Sequence, residues 1–361
     1  MRAAVVVVAA LALTASGAVA HTQSDGYVEL TAAGAEVTGR VDLAARDLEL
    51  AIDLDDGDGA LRWREVAAAA PRLHAYLRDH LALRVAAGPC PLVLGALGTV
   101  PRADGAHLAI ALRATCPGPA DPLTVDYRAL FAVDAQHRGL IRFDSGAGAT
   151  VAVARGAPVT LVGGARPAVR RFVVEGVWHI WRGFDHVCFL IALLLPGVFV
   201  RRGRRLEPAP TLGGVVRDVL AVVTAFTLAH SITLVVATMG WVRLAPGVVE
   251  PAIALSVAAA AANNLTRTVD ARWAVAFALG LLHGFGFSGV LTDLGLPGAT
   301  LAPALFGFNL GVELGQLAIV LAFLPLAFLV RRTRSYRVGM WLASAAMVVI
   351  ALDWAVTRLA A

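Results

Sequence analysis

Between Phe172 and Leu359 the chain carries six apolar stretches separated by short polar connections, at about residues 172–200, 215–239, 248–265, 273–296, 302–330 and 338–359. Each is near or above the length needed to cross ~30 Å of hydrocarbon at ~1.5 Å rise per residue. Hydrocarbon offers the backbone no water to bond, so a chain of this kind crosses it as helices. The pattern predicts a polytopic α-helical membrane protein with six transmembrane helices. Composition agrees: 58% of residues are hydrophobic and only 16% are charged, which excludes a disordered chain, a coiled coil and a typical cytosolic enzyme. The formal net charge of +5 invites a nucleic-acid partner, but the chain has no lysine, and its arginines fall in short clusters between apolar runs. Such clusters set orientation in a bilayer. The expected partner is therefore lipid, not nucleic acid.

The first twenty residues have a positive start (Arg2), an apolar run from Ala3 to Leu13 and a small-residue site at Ala18-Val19-Ala20. This describes a cleavable signal peptide over residues 1–20, since the apolar core is short of a span. Residues 21–167 then form an extracytoplasmic domain. Runs at Tyr27–Thr38, Leu92–Val100, His107–Ala114, Leu123–Val133, Leu140–Phe143 and Thr150–Ala154, separated by Gly, Pro and Asp, predict a β-rich (α+β) fold with one helix over about Trp63–Leu81. Cys90 and Cys116 are expected to pair in an oxidising compartment, and Cys188, in an apolar run, to be a buried hydrophobe. Residues 168–361 form the six-helix domain. With the N-terminal domain outside, the inside connections carry Arg201, Arg202, Arg204 and Arg205, then Arg267 and Arg272, then Arg331, Arg332, Arg334 and Arg337. The outside connections carry Arg243 alone. That bias places a bacterial-type protein in the cytoplasmic (inner) membrane with the N-terminal domain and C-terminus extracytoplasmic.

Ionisable residues inside spans cost roughly 2.5–3.5 kcal/mol each on insertion scales and mark function. The first stretch holds His179, Asp185 and His186. On a straight helix the two histidines share a face but lie ~10 Å apart along the axis, too far to clasp one ion unless the helix bends at Gly183. Asp185 either binds from another side or holds the second nitrogen of a histidine. The second stretch holds His230 and Ser231, the third Glu250 near one end with Asn263 and Asn264 near the other, and the fourth His283 among glycines. In the fifth, Asn309, Glu313 and Gln316 make one polar stripe. The glycines Gly307, Gly311 and Gly315 form a ladder for close helix packing, which is expected to let His230, His283 and Glu313 approach a shared centre. Imidazole suits transition metals, whereas calcium or magnesium takes nearly all oxygen. The candidate metal ligands are therefore His179, Asp185, His186, His230, His283 and Glu313. Ser231, Glu250, Asn263, Asn309 and Gln316 are candidates for the pathway or the ligands' supports.

These motifs resemble the HupE/UreJ membrane proteins: His179 with Asp185-His186, Phe226-Thr227-x-Ala229-His230-Ser231, Glu250 with Ala254 and Ser256, Leu282-His283-Gly284-Phe285-Gly286-Phe287, and Gly311-Val312-Glu313-x-Gly315-Gln316. The likeness is to the longer branch with a secreted N-terminal domain, and is specific over about residues 170–320. It implies a permease for nickel or cobalt, accessory to hydrogenases and ureases, with metalloenzyme maturation proteins as partners. The signature shared with nickel–cobalt transporters falls on His179, Asp185 and His186.

In the outer domain, Asp53, Asp55, Asp56, Asp58 and Glu65 make a candidate calcium loop. With Gly59 at position 6, Asp56, Asp58 and Glu65 fall at positions 3, 5 and 12, but position 1 falls on Leu54. The alternative is an acidic turn capping the following helix. His21, freed by cleavage after Ala20, is a second candidate metal ligand. No G-x-x-x-x-G-K-[ST] is present, so transport would draw on a gradient, the membrane potential or an intracellular sink. The expectation is a transporter of a divalent transition metal. The alternative is an intramembrane zinc-dependent hydrolase using the same cluster, with Glu313 as general base.

Overall fold

The computed structural model describes residues 25–54, 61–102, 105–135, 137–164, 169–202, 205–266, 268–286 and 298–360. The candidate signal peptide, His21, and Asp55, Asp56 and Asp58 lie outside them. The chain divides into two compact units, one made chiefly of residues 21–167, the other of residues 168–289 and 302–361.

The first unit is β-rich. Strand β1 (Asp25–Ala33) turns at Gly34 into β2 (Glu36–Ala44). The run expected as one strand over 27–38 is thus a hairpin, because Gly34 adopts φ +64°, which the two-residue connection requires. Helices α1 (Ala45–Ile52), α2 (Trp63–Ala68) and α3 (Ala70–His80) follow. The single helix expected over 63–81 breaks at Ala69, since Pro71 lacks the N–H an uninterrupted helix needs and opens a new first turn. Next come β3 (Leu81–Val85), β4 (Gly88–Cys90), β5 (Leu92–Arg102), β6 (Gly105–Thr115), β7 (Leu123–Tyr127), β8 (Arg138–Asp144), β9 (Ala149–Ala154) and β10 (Val159–Leu161). They form a six-stranded sheet ordered β5-β6-β2-β1-β8-β9 and a four-stranded sheet ordered β10-β7-β3-β4. All pairs are antiparallel except β1 with β8. Alternation drives the smaller sheet: Leu81, Leu83 and Val85 of β3, and Leu123, Val125 and Tyr127 of β7, are buried while their neighbours are not. Both sheets share one core with Leu48 of α1 and Leu73 and Leu77 of α3. Asp25 and Arg138, partners in the β1–β8 register, form a buried bidentate ion pair at 2.7–2.8 Å. Cys90 at the end of β4 is bonded to Cys116 just beyond β6.

The second unit is helical: α4 (Val169–Arg182), α5 (Phe184–Leu194), a short 3-10 turn (Leu195–Val198), the hairpin β11 (Phe199–Arg202) and β12 (Arg205–Pro208), α6 (Leu212–Thr238), α7 (Pro246–Thr266), α8 (Arg272–His283), α9 (Gly298–Val330) and α10 (Arg334–Ala360). Four helices are long and apolar enough to cross a bilayer: Leu212–Thr238, Gly247–Thr266, Leu301–Val330 and Arg334–Leu359. The first expected span is a pair of helices bent by 73° at Gly183, which makes up to five. The fourth expected span corresponds to the shorter apolar helix Arg272–His283, and residues 287–297 lie outside the described ones. The described helices therefore give four to five spans rather than six. The exposed large hydrophobics of these helices, among them Leu228, Phe306, Leu321, Leu326, Leu329 and Val356, are what a lipid-facing surface requires.

The three arginine-bearing connections meet at one end of this unit. Arg201 pairs with Asp270 in the α7–α8 connection, and Arg331 after α9 donates to the Ala209 carbonyl before α6. The Tyr336 hydroxyl donates to the Leu195 carbonyl at 2.9 Å. Elsewhere in the unit Arg358 of α10 donates to the Glu250 carbonyl of α7.

Candidate metal centre

The site begins with the break between α4 and α5. Gly183 has φ −75° and ψ 94°, outside the helical region, so the chain turns there. A Cβ at Gly183 would lie 2.6 Å from His186 Nδ1 and 2.9 Å from the His179 carbonyl, closer than any side chain tolerates. Only glycine lets the turn close over the two histidines. Their ring centroids come to 4.6 Å, against the ~10 Å axial separation on a straight helix. Asp185, in the first turn of α5 where a carboxylate suits the helix dipole, accepts from His186 Nδ1 at 3.0 Å. Of its two expected roles it takes the second, orienting a histidine.

Two glycine ladders bring the other helices in. Gly307 and Gly311 of α9 approach the carbonyls of Val169 and Val173 on α4, and Gly315 lies against Val177. Gly280 of α8 and Gly284, which caps it, face the carbonyls of Phe226 and His230 on α6. Backbones this close carry no side chain between them. His230 arrives 6.0 Å from His179 and 6.5 Å from His186, and His283 4.8 Å from His186, centroid to centroid. Phe226 stacks on His230 and edges His283, Phe308 lies against His179 and His230, and Phe189 lies against His283. The polar groups thus sit inside an aromatic wall.

One nitrogen each from His179, His186 and His230 lie within 4.8 Å of one another, the only such group of metal-ligating side chains among the described residues. Nitrogens bound to one ion at ~2.1 Å stand about 3–3.4 Å apart, so closing on an ion requires roughly an ångström of contraction. His186 is buried, and His230 and His283 are fully so. Each has one nitrogen held: His186 Nδ1 by Asp185, His230 Nδ1 by Asn309 Oδ1 at 3.3 Å, and His283 Nε2 by Ser256 Oγ at 2.8 Å. The other nitrogen (His186 Nε2, His230 Nε2, His283 Nδ1) is buried without a hydrogen-bond partner among the described residues. A buried imidazole nitrogen left without a partner costs stability, whereas one held nitrogen and one open nitrogen is how a metal-binding histidine is arranged.

The remaining candidates divide. Gln316 accepts from Thr227 Oγ1 at 3.0 Å, so Asn309 and Gln316 both tie α9 to α6. Glu313 is half-buried, and it and the buried His283 stand outside the three-histidine group. Ser231 bonds its own helix at the Thr227 carbonyl. Asn263 exchanges hydrogen bonds with the backbone of Val269 and closes the α7–α8 connection, while its neighbour Asn264 is the buried one, bonded to the Ala192 carbonyl and Ser344. Glu250 is engaged at its carbonyl by Arg358. Arg358 also stands 3.5 Å from Asp185 Oδ2. Sequence reasoning passed over Arg358 because an arginine near the end of an apolar stretch reads as an interfacial anchor. In the outer unit Asp53 has φ 49° and ends α1, and its carbonyl accepts from Arg72. Glu65 accepts from the Arg62 backbone N–H at 2.6 Å, capping α2. Those two residues of the candidate calcium loop thus serve helix ends.

Helices of this length and apolarity, closed around a buried histidine cluster, define a multi-pass membrane protein with a candidate metal site. The family model described as HupE / UreJ protein matches residues 159–358, more than half of the chain. The chain belongs to the HupE/UreJ family. No curated protein matches the sequence.

Proposed function

We propose that this protein is a permease for a divalent transition metal, nickel or cobalt first, with His179, His186 and His230 as the station that binds the ion in transit. The observation that carries this reading is the set of buried imidazoles with one nitrogen fixed by Asp185 or Asn309 and the other unbonded. His283, in ring contact with His186, extends the route, and Ser256 sets its orientation. Family membership supports nickel or cobalt as the cargo and hydrogenase or urease maturation proteins as the acceptors. The gathering of Arg201, Arg272 and Arg331 connections at one end supports a cytoplasmic position for that end. The N-terminal unit then lies outside the inner membrane, where it captures or senses metal.

An intramembrane zinc hydrolase is the second reading, since three histidines with an open fourth position also describe a catalytic zinc site. That reading needs a general base beside the ion, and Glu313, its candidate, stands outside the group. Uptake of Ni²⁺, Co²⁺ and Zn²⁺ into proteoliposomes by wild type and His186→Ala decides between them. Saturable uptake lost in the variant is the expected result. No uptake of any ion, with zinc retained stoichiometrically through chelator treatment, would overturn the permease in favour of the hydrolase.

A further inference from the structure

Arg358, near the end of α10, turns its guanidinium into the bundle. Nη1 donates to the Glu250 carbonyl at 3.1 Å and Nη2 lies 3.5 Å from Asp185 Oδ2. Both side chains of this ion pair are 15% exposed. The other oxygen of the same carboxylate, Oδ1, accepts from His186 Nδ1. One carboxylate is therefore shared between a fixed cation on α10 and an imidazole of the metal group whose other nitrogen, Nε2, is buried without a hydrogen-bond partner among the described residues.

Arginine stays charged in any protein environment, so Asp185 next to it presents a neutral pair. The ligand set that an incoming ion meets then carries no net charge. Without Arg358 the same set would carry one negative charge, and in a poorly screened interior a full charge at this range weighs heavily on a divalent ion. A transporter must also let go: conduction requires binding strong enough to enter and weak enough to leave.

We propose that Arg358 is the resident counter-cation of the metal centre, neutralising Asp185 so that the histidines hold a divalent ion loosely enough to release it. This rests on the permease reading above and adds to it the group that sets how tightly the station binds. Arg358 is a tuning residue that acts through Asp185 and touches no metal itself.

The test is equilibrium binding of Ni²⁺ alone to the full chain purified in detergent, by competition with a chromophoric chelator. It compares wild type, Arg358→Gln, Arg358→Lys and His186→Ala. Arg358→Gln is expected to bind about tenfold more tightly than wild type and to release the ion more slowly. Arg358→Lys, which keeps the charge but not the two-point geometry, is expected within about threefold of wild type. Equal or weaker binding by Arg358→Gln overturns the proposal, and so does a fall of Arg358→Lys to the His186→Ala level, because then Arg358 only holds Asp185 in place. If Arg358→Gln does not fold, the lysine variant decides alone. Wild type that binds no more Ni²⁺ than His186→Ala sinks the station itself, and the counter-cation with it.

Discussion

At the scale of single residues the centre depends on one glycine and three orienting side chains. The break at Gly183 places His186 Nδ1 and the His179 carbonyl where a methyl group would go. Gly183→Ala is therefore expected to lower Ni²⁺ affinity at least about tenfold while the chain still inserts, as read by equilibrium binding and by expression level. Asp185, Asn309 and Ser256 act one step back, each holding the far nitrogen of a histidine. Removing such a support costs about 10–100-fold in metal affinity. Asn309→Ala, which leaves all four imidazoles in the chain, should thus weaken Ni²⁺ binding by that range, and an unchanged affinity would separate His230 from the station. The Asp185–His186 pairing was among the expected ones, being between neighbours in sequence, but the other two are invisible in a linear pattern, because Asn309 and Ser256 lie 79 and 27 residues from their histidines. The histidines themselves were legible as candidates, since an ionisable side chain is costly to place in an apolar run and stands out there.

At the scale of elements the outer domain offers two measurements. The disulfide ties Cys90 to Cys116, 26 residues apart, and closing a loop of that length stabilises a fold by about 3–4 kcal/mol on chain-entropy grounds. Cys90→Ser should lower the melting transition of this domain accordingly and remove the mobility difference between reduced and oxidised protein. His137 is buried and bonded to the Tyr127 hydroxyl at 2.8 Å between β7 and β8. Burial pushes its pKa down to about 4 from the ordinary 6.5. The unfolded chain takes up the proton near pH 6.5 and the folded one does not. The stability present above pH 6.5 therefore falls as pH drops toward 4, by about 3 kcal/mol in all. Urea titrations between pH 7 and pH 4 should show this loss, and His137→Asn should flatten it. The larger strands were legible from alternation between Gly and Pro punctuation. The split of α2 from α3 and the strand β3 directly after it were not: Leu81 continues the four-residue apolar spacing of Leu73 and Leu77, and only pairing with β4 and β7 makes the segment from Leu81 a strand.

At the scale of the whole molecule the arginine clusters and the site make a topological prediction. In a cysteine-substituted background (Cys188→Ser), a cysteine at Thr333, between α9 and α10, should react with a membrane-impermeant maleimide only after the inner membrane is opened. Labelling in intact spheroplasts would reverse the orientation and place the N-terminal unit inside. Sequence alone determined that this chain enters a bilayer, because a run of twenty apolar residues has the same transfer free energy whatever it later packs against. It also determined which residue types sit within those runs, imidazoles and carboxylates among them. The tertiary structure decided which of them meet: the 73° bend at Gly183 turned two histidines from separate levels of one helix into neighbours. It drew His230 in and left Glu313 out of the group, and it set Arg358 against Asp185. The reason is that partition into hydrocarbon is a sum over local residues, whereas coordination depends on distances between helices, which are fixed only when backbones pack.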